Sequence, residues 1–191
     1  MSNYFSYFPT TNNDLTQSGN TLLVTNILRR FKFRSSVQEN VDVFYEYTIQ
    51  TGDRPDTIAE KYYGSANYAW IVLHFNEIVD PFFGWPLFDK QFEDYIVGKY
   101  GSIPAAQAQV HEYRRILNPG QVRYDSSIVP KKYIVVDQTT YNSLSPTSRE
   151  LVDKYTYEEE LNEKKRLIKI LDKKYLSQVS TEVEDILKNG V

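Results

Sequence analysis

Few side chains in this sequence could carry out catalysis. The chain has two histidines, His74 and His111, and no cysteine, which excludes thiolate nucleophiles, disulfides and thiolate zinc sites. His111 is followed by Glu112 but not by a second histidine one helical turn later, the spacing that places two zinc ligands on one helix face. His74 lies within an apolar stretch, where packing is the commoner role. We therefore predict neither a metal site nor a cofactor.

The carboxylates are also poorly arranged for hydrolytic chemistry. Glycoside hydrolysis requires an acid and a base that face each other across the bond. Glu93 and Asp94 are neighbours on a predicted helix and should point in different directions, and we expect residues 158–160 to form a solvated acidic run. The sequence contains no nucleophile elbow and no phosphate-binding glycine loop. We therefore expect no enzymatic activity and no small-molecule substrate.

The composition favours protein contacts instead. Aromatic residues make up 15% of the 191 residues, with 16 Tyr, 10 Phe and 2 Trp, and such side chains build aromatic cores or anchor interfaces. The net charge of −3 argues against nucleic-acid binding. No apolar run approaches the roughly 20 residues that span a bilayer, and residues 1–28 lack the basic residues and cleavage site of a signal peptide. We expect neither a nucleic acid nor a membrane as partner.

The first segment, residues 1–43, begins with an aromatic arm. The arm carries the cluster Tyr4, Phe5, Tyr7 and Phe8. Residues 1–28 contain a single charged side chain, Asp14, and sustain neither a helical nor a strand period. The arm therefore either docks on a partner or packs on its own domain, and the sequence leaves both alternatives open.

A basic strip at Asn26–Arg34 follows the arm. Its cations are Arg29, Arg30, Lys32 and Arg34. As a strand, the strip would place Phe31 and Phe33 on one face and Lys32 and Arg34 on the other. It could bind nucleic acid or carboxylates, or form an ordinary half-buried strand with a solvated basic face. Because it is short and the chain is acidic, the ordinary strand is favoured, and an acidic protein is a better partner than nucleic acid.

Residues 44–76 predict a strand, a short helix, a tight turn and a second short helix. Tyr45, Tyr47 and Ile49 alternate with polar residues, as in a strand with one buried face. Pro55 suits the first position of a helix, and Gly64 suits a left-handed cap at its end. We expect Asn67 to cap the second helix, over residues 68–75. Trp70 on that helix should be mostly buried against the apolar face of the strand.

The remainder of the chain completes an α+β protein. A helix is predicted at Asp89–Tyr100, capped by Asp89. Strands are predicted at Tyr133–Val136 and, more weakly, at Val110–Leu117, whereas Ser145–Tyr155 is ambiguous. The end is predicted as helix, strand and helix. A charged helix runs from a capping box at Thr156 to about 165, residues 166–171 are β-branched enough for a strand although they could also continue the helix, and an amphipathic helix covers 174–188. The predicted segments are 1–43, 44–100, a loop-rich 101–155 and an extension at 156–191.

The module at 44–76 resembles the LysM fold. The matching landmarks are Gly52, Asp53, Ile58, Ala59, Tyr62 and Asn76. LysM modules bind N-acetylglucosamine chains through the loops after the first strand and after the second helix, so peptidoglycan binding is the alternative function that this resemblance implies. In this sequence Asn76 is followed by EIVDPFFGWP rather than by a polar loop and a closing strand.

A longer resemblance covers most of the chain. The TGDRPDTIAEKYYG and YAWIVLHFNEIVDPFFGWPL runs, with YFSYFP, ILRRFKFR and YEEELNEKKRLIKIL, are similar to the LysM-bearing wedge subunit of contractile-tailed bacteriophage baseplates, the wedge subunit fifty-three family. The resemblance implies a structural subunit of the virion tail baseplate, assembled in the host cytoplasm. It also implies partners: the core scaffold and sheath-initiator-like subunits of a wedge, and neighbouring wedges.

Several residues are candidates for these partner contacts. They are the four aromatic residues of the arm, the four cations of the strip, and Phe82, Phe83 and Trp85. Pro81 biases Asp80 away from helical torsions, and Gly84 allows backbone geometry closed to other residues. We therefore expect a rigid, non-helical turn from Asp80 to Trp85, with at least one of its aromatic side chains on another subunit.

Overall fold

The computed structural model describes residues 4–14, 17, 19–40, 42–122, 124 and 127–189, and only the backbone of residues 35 and 36. The helices are α1 (Ser35–Gln38), α2 (Pro55–Tyr63), α3 (Ala69–Phe75), α4 (Asp89–Tyr100), α5 (Ile103–Gln107), α6 (Gln138–Ser143), α7 (Lys154–Lys164) and α8 (Leu176–Asn189). The strands are β1 (Thr10–Asn13), β2 (Leu22–Thr25), β3 (Phe44–Thr48), β4 (Val110–Asn118), β5 (Gln121–Val122), β6 (Ile128–Val129), β7 (Lys132–Val136), β8 (Arg149–Asp153) and β9 (Leu167–Leu171). Single 3-10 turns occupy Tyr4–Tyr7, Ala66–Tyr68, Pro146–Ser148 and Lys173–Tyr175. The predicted α+β class is confirmed.

The chain forms two compact units, each with its own contacts. Unit 1 contains the chain up to residue 86 and again from residue 165, and unit 2 contains residues 87–164. Unit 2 is thus an insertion in the chain of unit 1. The borders of the units differ from the predicted segment borders, because the segments were drawn along the chain whereas the units follow spatial contacts. The division into four segments stays a prediction.

Unit 1 is organised around the order strand, helix, helix, strand. β3 pairs antiparallel with β9, so that Phe44 lies opposite Leu171 and Thr48 opposite Leu167. The helices α2 and α3 follow β3 directly in the chain, whereas β9 comes after unit 2. The buried side chains of these elements include Ile58, Ala59, Ile71, Val72, Phe75, Ile168 and Ile170. A second antiparallel pair joins β1 and β2.

Two predictions for the helix ends in unit 1, at Pro55 and Gly64, are confirmed, and one, at Asn67, is wrong. Pro55 opens α2, and Gly64 ends it with a φ of 79° and an N–H that donates to the Glu60 carbonyl at 2.9 Å. Asn67 does not cap the second helix. Instead the Ser65 hydroxyl accepts from the Asn67 N–H at 3.3 Å and caps the 3-10 turn that precedes α3. The prediction was wrong because the turn shifts the start of α3 to Ala69.

Unit 2 combines an antiparallel sheet with the helices α4, α5, α6 and α7. The sheet has the order β7–β4–β8, and β5 and β6 form a separate antiparallel pair within the connection from β4 to β7. The strands predicted at 133–136 and 110–117 are confirmed as β7 and β4, and β8 resolves the ambiguous stretch. Phe92, Ile96 and Ala106 form the buried cluster of α4 and α5.

Two predicted caps in unit 2 are wrong although the helices are present. α4 spans Asp89–Tyr100 as predicted, but its N-cap is Phe88, and Asp89 lies in the first turn with a φ of 33°. α7 begins at Lys154, two residues before the predicted cap at Thr156. The Thr156 N–H donates to Asp153 Oδ1 at 2.8 Å, so Asp153 satisfies this end of the helix. The last strand and helix of the chain, β9 and α8, confirm the predictions for the tail.

Candidate interaction surface

Both histidines are packed against aromatic rings. His74 is half-buried, its Nε2 lies 3.1 Å from the Tyr4 hydroxyl, and burial lowers its pKa. His111 stacks on Tyr157 with ring centroids 3.5 Å apart. Within the part of the chain that the structure describes, no three His, Asp or Glu side chains come together as a metal site would require, and no helix is long and apolar enough to cross a membrane.

Trp70 is buried, as predicted, but its aromatic neighbours are not those expected. It is 6% exposed, and Tyr4 stacks on it at a centroid distance of 5.3 Å. Tyr7 and Phe31 meet the same ring edge-on, each at 5.9 Å. The ring is therefore covered by the arm and the strip, in the stacked and edge-on geometries that aromatic pairs prefer.

The expected buried face of β3 is only partly present. Ile49, just beyond the strand, is buried, and the Tyr47 ring meets Tyr62 edge-on at 5.6 Å. Tyr45, in contrast, is 57% exposed, and its hydroxyl donates to Asp172 Oδ2 at 2.9 Å. The prediction for Tyr45 was wrong because its hydroxyl reaches a solvated carboxylate beyond the end of β9, which keeps the ring at the rim of the two-stranded sheet.

The aromatic arm packs on its own unit. Tyr7 and Phe8 are buried, Tyr4 is half-buried and Phe5 is 56% exposed. Of the two alternatives left open by the sequence, packing on the chain itself is the one observed for Tyr4, Tyr7 and Phe8. Phe5 keeps most of its surface free for a partner, and the assignment of the four residues as partner contacts stays a prediction.

The basic strip is not a strand, although its side chains alternate as predicted. The described residues of Asn26–Arg34 pair with no other strand. Phe31 and Phe33 turn inward, where Phe33 lies 5.4 Å from the Phe75 ring, whereas Lys32 and Arg34 are exposed. Aromatic contacts with α3 thus hold the strip without a ladder of backbone hydrogen bonds, which explains the wrong assignment.

The cations of the strip differ in their partners. Lys32 Nζ lies 2.8 Å from Glu77 Oε1, an ion pair that lowers the pKa of Glu77. The Arg29 guanidinium donates from Nη1 to the Leu187 carbonyl at 2.8 Å. Arg30 is exposed and has no ion-pair partner among the described residues. The strip therefore carries positive charge that the unit itself does not fully neutralise.

The arm, the strip and α3 enclose a groove of about 750 Å³ in unit 1. Its apolar wall includes Tyr4, Phe5, Phe31, Trp70, Leu73 and Ile78. The charged lining residues are Arg29, Arg30, Lys32 and Glu77. Ile27 and Val79, which are 63% and 95% exposed, stand at its lip.

The turn from Asp80 to Trp85 is tight and non-helical, as predicted. Asp80 Oδ1 accepts from the Phe82 N–H at 2.9 Å, and the Asp80 carbonyl accepts from the Gly84 N–H at 2.7 Å. Gly84 does not have a positive φ, so the expectation that the turn needs glycine for its backbone torsions was wrong. A Cβ at this position would lie 2.6 Å from the Asp80 carbonyl oxygen, so the turn needs glycine for space.

The three aromatic side chains of this turn separate into two groups. Phe82 and Phe83 are 80% and 64% exposed. Trp85 is buried, and its Nε1–H donates to the Asp53 carbonyl at 3.0 Å. Phe82 and Phe83 are therefore available to a partner, whereas Trp85 stabilises unit 1 from within. That one of them reaches another subunit stays a prediction.

The LysM landmarks have structural roles in unit 1. Gly52 has a φ of 89°, which favours glycine. Asp53 Oδ2 accepts from the Tyr47 hydroxyl at 2.6 Å, a hydrogen bond that, with burial, raises the pKa of Tyr47 to about 12. Ile58 and Ala59 are buried. These residues fix the turn between β3 and α2 and the apolar side of α2.

Asn76 joins the end of α3 to the distant strand β9. Its Nδ2 donates to the Val72 carbonyl at 2.8 Å and to the Lys169 carbonyl at 2.7 Å. Its Oδ1 accepts from the Lys169 N–H at 2.7 Å. One amide side chain thereby replaces a strand partner at Lys169 and anchors β9 after the insertion of unit 2.

The sequence analysis missed an apolar surface in unit 2. Val122 and Ile128 face each other across the pair β5–β6 and are 72% and 75% exposed, and Tyr124 between them is fully exposed. Gly120 and Pro130 flank this hairpin end. The β-branched residues Val122, Ile128 and Val129 between these turn-forming residues are a strand signal that could have identified it.

The chain was also compared with known proteins. The family model described as base plate wedge protein 53 matches residues 3–189. No curated protein matches the chain.

Proposed function

Because the chain belongs to the family of base plate wedge protein 53, it is a structural protein of the bacteriophage tail baseplate, and we propose that it joins the components of one wedge and links neighbouring wedges. The proposed partners are the core scaffold and sheath-initiator-like subunits, and the proposed place of assembly is the host cytoplasm. The observation that carries this proposal is the exposed aromatic pair Phe82 and Phe83 on a turn held by Asp80. Aromatic side chains presented on a rigid turn are suited to anchoring an interface.

We also propose that unit 1 contains a LysM-like module that serves as a protein clamp. Two observations support this: β3, α2, α3 and β9 follow the order strand, helix, helix, strand, and the two strands pair antiparallel. Unit 2 is inserted between α3 and β9, at the point where the sequence departs from the LysM pattern. The landmark Asn76 bridges that point through its bonds to Lys169.

The same geometry argues against the alternative, peptidoglycan binding. In the LysM resemblance, sugar binds at the loops after the first strand and after the second helix. Here the buried Trp85, which follows α3, donates to the carbonyl of Asp53, which follows β3. The two loops are therefore tied together by a buried indole, and a sugar chain would have to displace it.

The proposal can be tested by reconstituting wedges from purified proteins of the same phage. A chain with Phe82→Ser and Phe83→Ser should incorporate at least about tenfold less well, because the loss of aromatic anchors typically removes 2 kcal/mol or more of binding energy. A control with Val97→Ser and Leu161→Ser also removes two exposed apolar side chains, on α4 and α7, and should incorporate normally.

Two results would contradict the proposal. One is a wild-type chain that stays outside the reconstituted wedge. The other is a chain that sediments with purified cell wall, since a purely structural subunit should remain in the supernatant. If the double phenylalanine variant assembles like wild type, the link is made by another surface.

A further inference from the structure

We infer that the basic strip, although it forms no strand in this chain, offers its unpaired backbone to an extended, acidic segment of another baseplate protein, which pairs with it and fills the adjoining groove. This inference rests on the proposed function, because it names the chemistry of one partner of unit 1. It concerns the backbone of residues 29–33, the groove that residues 29–32 line, and the lip residue Val79.

The backbone of the strip lacks the partners that a strand requires. Burial of the side chains from Arg29 to Arg34 alternates with a period of two, as along a strand. Among the described residues, however, no hydrogen bond joins the backbone N–H or C=O groups of residues 29–33 to any other group. An extended stretch with free backbone groups is a template for an added strand.

The groove beside the strip provides the second half of the site. Its volume of about 750 Å³ lies within the range of sites that enclose a ligand, which is about 300–1,000 Å³. Trp70, Tyr4 and Phe31 form an apolar wall, and Phe5 and Val79 expose apolar surface at its opening. In strand addition, the backbone supplies affinity and such pockets receive alternate side chains of the added segment.

The charge of the site indicates what those alternate side chains are. Three cations, Arg29, Arg30 and Lys32, line the groove against one carboxylate, Glu77, although the chain as a whole has a net charge of −3. Lys32 pairs with Glu77 and Arg29 donates to the Leu187 carbonyl, so a neutral or basic segment over this rim would leave Arg30 removed from water without a partner, which is unfavourable. The matching segment therefore alternates apolar residues, which enter the groove, with Asp or Glu, one of which meets Arg30.

The pairing can be tested by amide hydrogen exchange resolved to single residues. In the free chain, the amides of residues 29–33 should exchange almost as fast as in an unstructured peptide. In the reconstituted wedge, those that face the added strand should slow by about a hundredfold or more, because a strand hydrogen bond opens only with the interface. A photo-reactive residue at Val79 should cross-link to a single segment, and its sequence should alternate apolar and acidic residues.

Charge reversal tests the acidic partner separately. The variant Arg30→Glu, which leaves the ion pair of Lys32 and Glu77 in place, should lower affinity for the wedge by at least about tenfold at low salt, and the difference should shrink as salt screens the charges. The matched control Arg30→Lys keeps the charge and should bind like wild type. In the absence of partners, the amides of both variants should exchange as in the wild-type chain, which verifies that the fold is intact.

Other outcomes would contradict the strand pairing, the identity of the partner or the proposed function. If the chain enters the wedge while amides 29–33 still exchange freely, the backbone of the strip is not used, although the proposed function stands. Protection that appears at high concentration of the chain alone would make a second copy the occupant, and protection by duplex DNA would make it a nucleic acid. A cross-linked segment that is basic, or equal binding by the charge-reversed variant, would overturn the acidic partner. Failure of the wild-type chain to enter the wedge would instead count against the proposed function.

Discussion

The two units of this protein are stabilised by different kinds of interior. Among the described residues, all but four of the buried hydrophobic ones lie in unit 1, and the four in unit 2 are Phe92, Ile96, Ala106 and Val152. Of the four buried polar or charged side chains that the structure describes, three lie in unit 2, namely Arg114, Glu158 and Asn162. Unit 1 is thus held mainly by apolar area, whereas unit 2 depends on paired charges. A buried charge is tolerated only when its partners are in place, so the geometry of unit 2 should be the more sensitive to single charge changes.

The centre of unit 2 is the guanidinium of Arg114, which is 1% exposed. Nη1 and Nη2 each donate to one carboxylate oxygen of Glu160 at 2.7 Å, and Nε donates to Glu112. The Tyr133 ring lies 4.0 Å from the guanidinium carbon. Such a forked pair is geometrically specific, and it fixes β4 against α7.

Replacing Arg114 should produce the largest difference in stability between the two units. The variant Arg114→Met leaves the carboxylates of Glu112 and Glu160 without their partner in a mostly buried site. Breaking a buried pair from one side costs about 3–5 kcal/mol, so the amides of β4 and α7 should lose most of their protection from hydrogen exchange while those of α2 and α3 keep theirs.

The matched control is Arg115→Met, one residue along the same strand. Arg115 is exposed and forms no ion pair among the described residues, so its replacement should change stability by no more than about 0.5 kcal/mol. If the two variants lose the same amount of stability, unit 2 does not depend on its buried charge, and the proposed difference between the interiors of the two units is wrong.

The corresponding change in unit 1 is Trp70→Ala. Removing a buried Trp costs about 3–5 kcal/mol. Unit 1 should melt earlier, and protease should cut near Tyr4–Tyr7 sooner, because Tyr4 and Tyr7 lose the ring they pack on.

The exposed Phe82 offers the control for this change. Phe82→Ala removes an aromatic ring that is 80% exposed and should leave the melting of unit 1 unchanged. If Trp70→Ala destabilises the chain no more than Phe82→Ala, then the aromatic packing of the arm contributes little and apolar area is not what holds unit 1 together.

A smaller effect is expected at Asn76, which joins α3 to β9. Asn76→Ala leaves the backbone groups of Lys169 without their hydrogen bonds, which costs about 1–3 kcal/mol. Asn67→Ala is the control, because Asn67 is exposed and contributes only its backbone N–H to the cap by Ser65. Protection of β9 should fall in the first variant only. An equal loss in both would mean that Asn76 does not anchor the closing strand.

The local elements of this fold could be predicted from the sequence, whereas its long-range pairings could not. Proline and glycine marked the ends of α2 because their effects are confined to neighbouring torsions. The strand at 167–171 was recognisable by its β-branched residues, but its pairing with β3 is not, because a period of two is the same whichever partner a strand has. For the same reason the sequence predicted that Trp70 is buried, but it did not predict that Tyr4 and Phe31 cover its ring.

The candidate contact residues show the same limit. Phe82, Phe83 and Trp85 are alike in a sequence, and only the hydrogen bond from Trp85 to Asp53 separates the buried ring from the exposed pair. The sequence predicted that the side chains of the basic strip alternate between inward and outward, but it could not predict that no partner strand pairs with the strip. Sequence patterns report which side of a segment is apolar, and they are silent on whether a neighbour is present.

The smallest expected effect is a difference in acid sensitivity between the units. The prediction that Glu158 is solvated was wrong, because it is buried in unit 2 by its contacts with Lys99, Tyr100 and Tyr95. Burial alone would raise its pKa, but the hydrogen bonds from these three residues outweigh the effect of burial and the pKa is lowered. The pKa of Glu160 is lowered by its bond to Arg114. Because the folded pKa lies below the unfolded one, both carboxylates stabilise unit 2 above the unfolded pKa, which is about 4.5, and this stabilisation is lost as pH falls through the folded pKa.

Hydrogen exchange between about pH 6 and pH 3, corrected for the intrinsic rate, should therefore show unit 2 losing protection at higher pH than unit 1. In unit 1 the pKa values of Glu77 and Asp172 are also lowered, by bonds to Lys32 and to the Lys174 backbone, but solvent screens these surface groups. Lys99 is 46% exposed, which keeps the effect at Glu158 modest as well. The variant Glu158→Gln keeps the shape of the side chain and should flatten the acid response of unit 2 while it lowers stability near neutral pH. If both units lose protection together, or if the variant responds to acid as wild type does, the paired charges of unit 2 do not set its stability.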